Sequence, residues 1–333
     1  MSVKNNAHKG NSMAHSTKRK GTIVFIIILF IAAGIGAFTL GNSNRHSKNE
    51  RSNFFNSFTF GKAYIATLYI EGIIQDENKT YNQRWLLDTI HELKEDKKNK
   101  AVLLFIDSPG GGIYEADEAY LALCDYTEST GRPIYAYMGS LAASGGYYIA
   151  CAAEKIYANR NTLTGSIGVI AGQSIDATGL LEKLGIKSET FISGKNKNML
   201  SYDNPLTSEQ RAIMQSLADD AYDQFTSVVS EGRNLSIDKV RVLADGRLYT
   251  ASQAKRNGLI DEISSWEKTV DTLKESLKDV DCDVVTYRYK GSSGILSLLS
   301  STVKTNTADA ILSSLREHFM LDIQYPAYLY IKN

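Results

Sequence analysis

Residues 101–112 read AVLLFIDSPGGG. Ala101–Ile106 is a continuous apolar run of strand length, the pattern of a strand buried on both faces, and Gly110–Gly112 breaks the chain after it. Upstream, Ala63–Ile70 is a second β-branched, apolar run ending at Glu71-Gly72. Between the two, residues 81–98 place Trp85, Leu86, Ile90 and Leu93 at helical spacing. Downstream, residues 114–127 put Ala116, Ala119, Tyr120 and Leu123 on one side of a helix. The pattern then predicts a strand at Pro133–Met138, a small-residue helix at Leu141–Cys151 and a strand at Glu154–Ala158. Ser166–Ile170 and Ser188–Ile192 read as short strands flanking a helix at Gly179–Leu184. A long amphipathic helix spans 207–231, opened by Thr207 with Glu209-Gln210 in its first turn. Further helices are predicted near 236–244, 251–257 and 265–278. This alternation predicts a layered α/β fold with a largely buried sheet.

Composition narrows the function. The 333 residues carry 37 Lys+Arg and 37 Asp+Glu, a formal net charge of zero. A general nucleic-acid footprint and an acidic, solvating chain are both disfavoured. Hydrophobic residues make up 43% and there are only 4 prolines, so most of the chain should bury a core. The three cysteines, Cys124, Cys151 and Cys282, form no CxxC pair, which argues against structural zinc or a disulfide framework.

The N-terminus has its own character. Lys4, Lys9, Lys18, Arg19 and Lys20 lie in an acid-free stretch, and Gly21–Asn44 carries no charge. Within Gly21–Leu40, 15 of 20 residues are apolar. About 20 such residues match a hydrocarbon core of ~30 Å at 1.5 Å per residue. Cations before the span keep that end cytoplasmic. The expected organisation is a basic cytoplasmic tail (1–20), a transmembrane anchor (21–41), a polar linker (42–61), an α/β domain (62–290) outside the cell and a C-terminal tail (291–333). A cleaved signal peptide fits less well, because the apolar run exceeds an h-region of ~7–15 residues. Phe54, Phe55, Phe58 and Phe60 close the linker, with placement at the membrane interface or on the domain both open.

Three Gly/Ser-rich segments follow strands: 107–112 (DSPGGG), 142–148 (AASGGYY) and 164–168 (TGSIG). Most such stretches are plain turns. A phosphate loop is excluded in detail, since neither G-x-x-x-x-G-K-[ST] nor G-x-G-x-x-G spacing occurs. Ala142 also rules out a G-x-S-x-G elbow around Ser144. A serine between small residues at a helix start, with glycine N–H donors nearby, still suits a nucleophile with an oxyanion hole. None of His8, His15, His46, His91 and His318 accompanies a strand-end constellation, so a Ser-His-Asp triad is disfavoured. A neutral lysine can serve instead. Lys195 and Lys197, in 190–201 (TFISGKNKNMLS), are both candidates, and alternation puts them on one face if the chain stays extended.

Together, SPGGG (108–112), MGSLAASGGYYIA (138–150), TLTGSIGVI (162–170), ISGKNKNM (192–199) and ADGRLYTASQAKRNGLIDEI (244–263) resemble the signal peptide peptidase A family of membrane-bound Ser/Lys peptidases. The likeness covers roughly 62–290, and length and anchor resemble its short bacterial form. The resemblance implies a ClpP/crotonase fold of repeated β-β-α units. It implies Ser144 as nucleophile, Lys197 rather than Lys195 as general base, and Ser166 as the hydroxyl that orients the lysine. It also implies oxyanion donors at Gly111 and Gly145, no metal and no cofactor. Implied partners are remnant signal peptides or other unfolded apolar peptides and further copies of the chain in a ring or dome. Asn198 departs from the Asp common in the family. A non-catalytic membrane scaffold and a crotonase-type acyl-CoA enzyme are the alternatives. The anchor and its orientation oppose the second.

Overall fold

A computed structural model describes residues 62–278, 281–291 and 327–329, all within one compact unit, Lys62–Asn333. The expected tail, anchor and linker of residues 1–61 lie outside the described residues, as does most of 292–333. Among the described residues, no helix is long and apolar enough to cross a membrane.

The fold is α/β, built on an eight-stranded mixed sheet. The strands are β1 (Ala63–Glu71), β2 (Asn99–Ser108), β4 (Ile134–Ala143), β5 (Lys155–Ala158), β6 (Leu163–Gly165), β7 (Leu248–Thr250), β8 (Glu262–Ile263) and β9 (Cys282–Tyr287). The main path runs β7-β6-β4-β2-β1-β9. Strand β4 forks: Tyr135–Met138 pair with Lys155–Ala158, whereas Leu141–Ala143 pair with Leu163–Gly165. Strand β8 continues the β5 branch, and all pairings in this sheet are parallel except β6 with β7. Two short strands stand apart, β3 (Gly110–Gly112) and β10 (Ala327–Leu329), paired antiparallel.

The helices are α1 (Gln83–Glu95), α2 (Ile113–Thr130), α3 (Gly145–Ala150), α4 (Thr178–Lys183), α5 (Ser208–Arg233), α6 (Ile237–Leu243), α7 (Ala251–Asn257) and α8 (Trp266–Ser276). Their starts follow side-chain chemistry. Asn82 caps α1 by accepting from the Trp85 amide at 2.8 Å. Thr207 with Gln210, and Thr250 with Gln253, form reciprocal capping boxes on α5 and α7. The central strands are buried on both faces. Ala66, Leu68, Ile70, Leu104 and Ile106 join Leu86, Ala116, Ala119, Leu123 and α3 in one core, while Ile65, Leu103, Tyr135 and Tyr137 pack with Leu273 of α8 in another. Each fully buried Leu or Ile is worth about 1.5–3 kcal/mol over its exposed state.

Three predicted elements are corrected. Leu141–Ala143 continue β4, and the helix starts only at Gly145. The strand near the third glycine segment is Leu163–Gly165 and not Ser166–Ile170. Ser188–Ile192 is irregular and exposed, and no strand among the described residues pairs with it. Turns follow from Ser193 to Leu200, so the extended geometry that would align Lys195 with Lys197 does not form.

Candidate active site

Ser144 stands at the junction of β4 and α3, in a backbone conformation (φ 54°, ψ −120°) that L residues seldom adopt. Such a conformation costs on the order of 1–3 kcal/mol and persists only where its surroundings dictate it. Here they do. The Ser144 amide donates to the Gly165 carbonyl at 2.8 Å, and its own carbonyl accepts from the Tyr148 amide at 2.9 Å. Thr164 Oγ1 donates to the Ala142 carbonyl at 2.6 Å, locking the end of β4 onto β6. Within α3, Tyr147 donates to the Leu259 carbonyl at 2.8 Å, and Tyr148 donates to Asp117 at 2.6 Å while accepting from Gln224 at 2.9 Å. Burial holds the Tyr147 phenol far above its ordinary pKa, so it serves as a neutral hydrogen-bond donor.

The Ser144 hydroxyl itself is buried and has no hydrogen-bond partner among the described residues. A buried hydroxyl left unpaired costs about 1–3 kcal/mol, which makes Ser144 a candidate reactive side chain.

Facing it is β3. The Ile74 amide donates to the Gly110 carbonyl at 2.9 Å, and the Gly112 amide donates to the Ile74 carbonyl at 2.8 Å. Strand alternation therefore turns the N–H and C=O of Gly111 to the opposite edge. A Cβ on Gly111 would lie 1.8 Å from the Ile74 carbonyl oxygen, so only glycine fits this approach. A Cβ on Gly145 would lie 3.3 Å from the Gly111 nitrogen. The two expected donors are thus neighbours at the start of α3. Strand β10 lies along the free edge of β3, with Tyr328 opposite Gly111.

Ser166 follows Gly165 directly, is buried and also has positive φ (50°). Its amide is held by the Arg247 carbonyl at 2.8 Å. Ser144 and Ser166 therefore end adjacent strands. Lys195 and Lys197 part company. Lys195 is ion-paired with Glu209, at 2.7 Å, in the first turn of α5. Lys197 is exposed and makes no side-chain hydrogen bond or ion pair among the described residues. The fold thus brings Ser144, Gly145, Gly111 and the Ser166 backbone to one end of the sheet, and it does not place Lys197 in hydrogen-bond contact with Ser144. His91 is exposed on α1, away from any such contact. Among the described residues no group of three or more His, Cys, Asp or Glu is placed to hold a metal.

The reading of the residues missed two features. Ser108 shapes β3 from below, and its Ser-Pro setting reads only as a turn. Strand β10 sits at the site, and its signal was the β-prone run Ala327-Tyr328-Leu329.

Residues 127–281 match the model of peptidase family S49. An Enterococcus faecium protein carrying the provisional name signal peptide peptidase SppA is 37% identical over 279 residues, 80% of each chain. Protease 4 of Haemophilus influenzae is 31% identical over 249 residues, 72% of this chain and 40% of its own. The chloroplastic serine protease SPPA of Arabidopsis thaliana is 36% identical over 191 residues, 57% of this chain and 28% of its own. Among solved structures, a ClpP1 point mutant from Listeria monocytogenes aligns with a TM-score of 0.40 at 18% identity, covering 61% of this chain and 92% of that one. With four-fifths of both chains aligning at the identity found for the Enterococcus protein, the chain belongs to the signal peptide peptidase A family, peptidase family S49, and is a serine protease.

Proposed function

We propose that the protein is a membrane-anchored serine endopeptidase that uses a Ser144/Lys197 dyad to degrade remnant signal peptides or other unfolded apolar peptides. One observation carries the reading of an extended peptide substrate. A backbone strand, β10, already lies antiparallel on Gly110–Gly112 beside the nucleophile. That lane suits a polypeptide bound by strand addition.

In this reading, neutral Lys197 accepts the proton of the Ser144 hydroxyl as its oxygen attacks the scissile carbonyl. The N–H groups of Gly111 and Gly145 bind the oxyanion, and one such donor is worth about 3 kcal/mol in the transition state. The ammonium of Lys197 then protonates the leaving amine, and water attacks the acyl-enzyme by the same route in reverse. Ser166 holds the lysine in place. A lysine base needs a desolvated amine, and Lys197 is exposed in the single chain. In the same stretch of sequence Ile175, Leu184, Ile186 and Phe191 are also exposed. Self-association that covers this segment would exclude water from the lysine, which supports a ring or dome of copies. The reading includes the ClpP/crotonase arrangement of units, an N-terminal anchor at 21–41 and a catalytic domain outside the cell, both of the latter resting on the apolar span and its preceding cations.

The test is covalent labelling of the full chain with a peptidyl phosphonate, alongside hydrolysis of casein and of an acyl-CoA. Labelling at Ser144 with casein cleavage supports the peptidase. Thioester turnover without casein cleavage overturns it, as does absence of both.

A further inference from the structure

We infer that Ser108 is a positioning residue for the oxyanion hole, acting through the turn that aims the Gly111 amide. The inference rests on Gly111 and Gly145 being the donors, as proposed above. Ser108 ends β2, and its side chain is fully buried. Its hydroxyl works in both directions. It donates to the Gly72 carbonyl at 2.6 Å and accepts from the Gly110 amide at 3.1 Å. Gly72 follows directly after β1, and Gly110 opens β3, so one oxygen ties the end of one strand to the start of another.

Gly110 has φ 101°, a conformation with little intrinsic preference to hold it in place. Besides its pairing with β10, three hydrogen bonds hold β3: Gly110 N–H to Ser108, Ile74 N–H to Gly110, and Gly112 N–H to Ile74. The last two set the plane of the strand, and the first sets where it begins. With the Gly110 and Gly112 amides spent on that side, the Gly111 N–H lies on the other edge, the one along which β10 pairs, and its nitrogen is 3.3 Å from where a Cβ on Gly145 would stand. Removing the hydroxyl leaves the Gly110 amide and the Gly72 carbonyl without their partner in a buried place. The first peptide of β3 is then free to turn, and the Gly111 donor moves with it. A shift of ~1 Å in such a group is enough to cost on the order of 100-fold in rate. Ser108 touches neither substrate nor nucleophile in this arrangement. Its effect is therefore confined to states in which negative charge sits on the substrate oxygen.

The experiment uses the full-length protein in detergent. It compares wild type, Ser108→Ala and Ser108→Cys for kcat and KM on one peptide. Each is also titrated with a peptidyl aldehyde, which forms a tetrahedral oxyanion adduct on the nucleophile, and with the matching peptidyl alcohol, which does not. For Ser108→Ala the expected result is a fall in kcat of about 10- to 100-fold, an equal loss of aldehyde affinity and unchanged alcohol affinity and KM. Ser108→Cys, a weaker donor of nearly the same shape, should lie between the two, and it carries the test if the alanine variant does not fold. Kinetics unchanged by either variant overturn the inference. Equal weakening of aldehyde and alcohol also overturns it, because that is the mark of general loosening. Ser144→Ala is the control. If it still hydrolyses the peptide, the reading of the site itself fails. If it is dead while Ser108→Ala is fully active, only the role of Ser108 fails.

Discussion

The Ser144 end of the sheet and the segment carrying Lys197 are built on opposite principles. Ser144 is fully buried, as are all six residues of α3, and hydrogen bonds from β2, β6 and α2 hold its surroundings. Residues 171–206 have no strand, one short helix with no buried residue, and Phe191 at 88% exposure. On the function proposed above, the nucleophile and oxyanion donors are preorganised by the fold of one chain, whereas the base is not. That proposal therefore splits the catalytic geometry between a part fixed by folding and a part that needs a further event.

The sharpest way to break the comparison is to remove each half. Ser144→Ala should lower kcat by about 10⁴-fold or more while leaving the unfolding temperature near that of wild type. Lys197→Ala should approach the same loss, and Lys197→Arg should not restore activity, because a guanidinium stays protonated. Lys195→Ala should stay within a few-fold, since its pair with Glu209 is solvent-exposed and screened. A dead Lys195 variant would shift the base by two residues.

Within the preorganised half, Gly145→Ala is the next largest effect. The new methyl would sit 3.3 Å from both the Gly111 nitrogen and the Ala116 Cβ, so kcat should fall about 100-fold with little change in KM. A KM effect alone would place Gly145 outside the oxyanion hole.

The open half is probed by Phe191→Asp. For a side chain this exposed, single-chain stability should change by about 0.5 kcal/mol or less. Activity should nevertheless fall several-fold, together with the sedimentation coefficient, if copies of the chain cover this segment. Full activity in a variant of unchanged size would assign the exposed apolar residues to something else.

The smallest effect concerns burial alone. Cys151, at the end of α3, has its thiol pushed up to about 12 by desolvation from an ordinary value of 9.0. The folded state holds the proton longer than the unfolded chain does. Its contribution is therefore intact below pH ~9 and lost progressively as pH rises toward ~12. Alkylation at pH 8.5 should spare Cys151 in the native protein and modify it in urea. Equal labelling in both would mean that α3 opens readily.

Much of this was legible in the residues. The apolar runs of β1 and β2 and the Thr207 capping box specify their elements locally, and the structure forms them there. Leu141–Ala143 misled because Ala and Gly favour neither a clear period nor a strand; the ladder to Leu163–Gly165 decides, and that contact is tertiary. Ser188–Ile192 failed for the converse reason, a β-prone run with no strand to pair with. At the site, Ser144 could be found from its small neighbours, whereas its positive φ could not. Ser108 was hidden because its hydroxyl bonds to Gly72, 36 residues away in sequence.

Strand β1 pairs with β2, which follows within the next few dozen residues, and with β9, the last strand of the main sheet. Thr67 meets Thr286 at a sequence separation of 219. Such closure is entropically slow, and it delays the completion of the sheet until nearly the whole domain has been made. Before then Ala63–Leu68 presents an open, apolar edge to any other strand. Nascent and truncated chains should therefore aggregate through β1, and a chain ending at residue 281 should be recovered as insoluble material. Soluble, cooperatively unfolding protein from that truncation would show that β9 is dispensable.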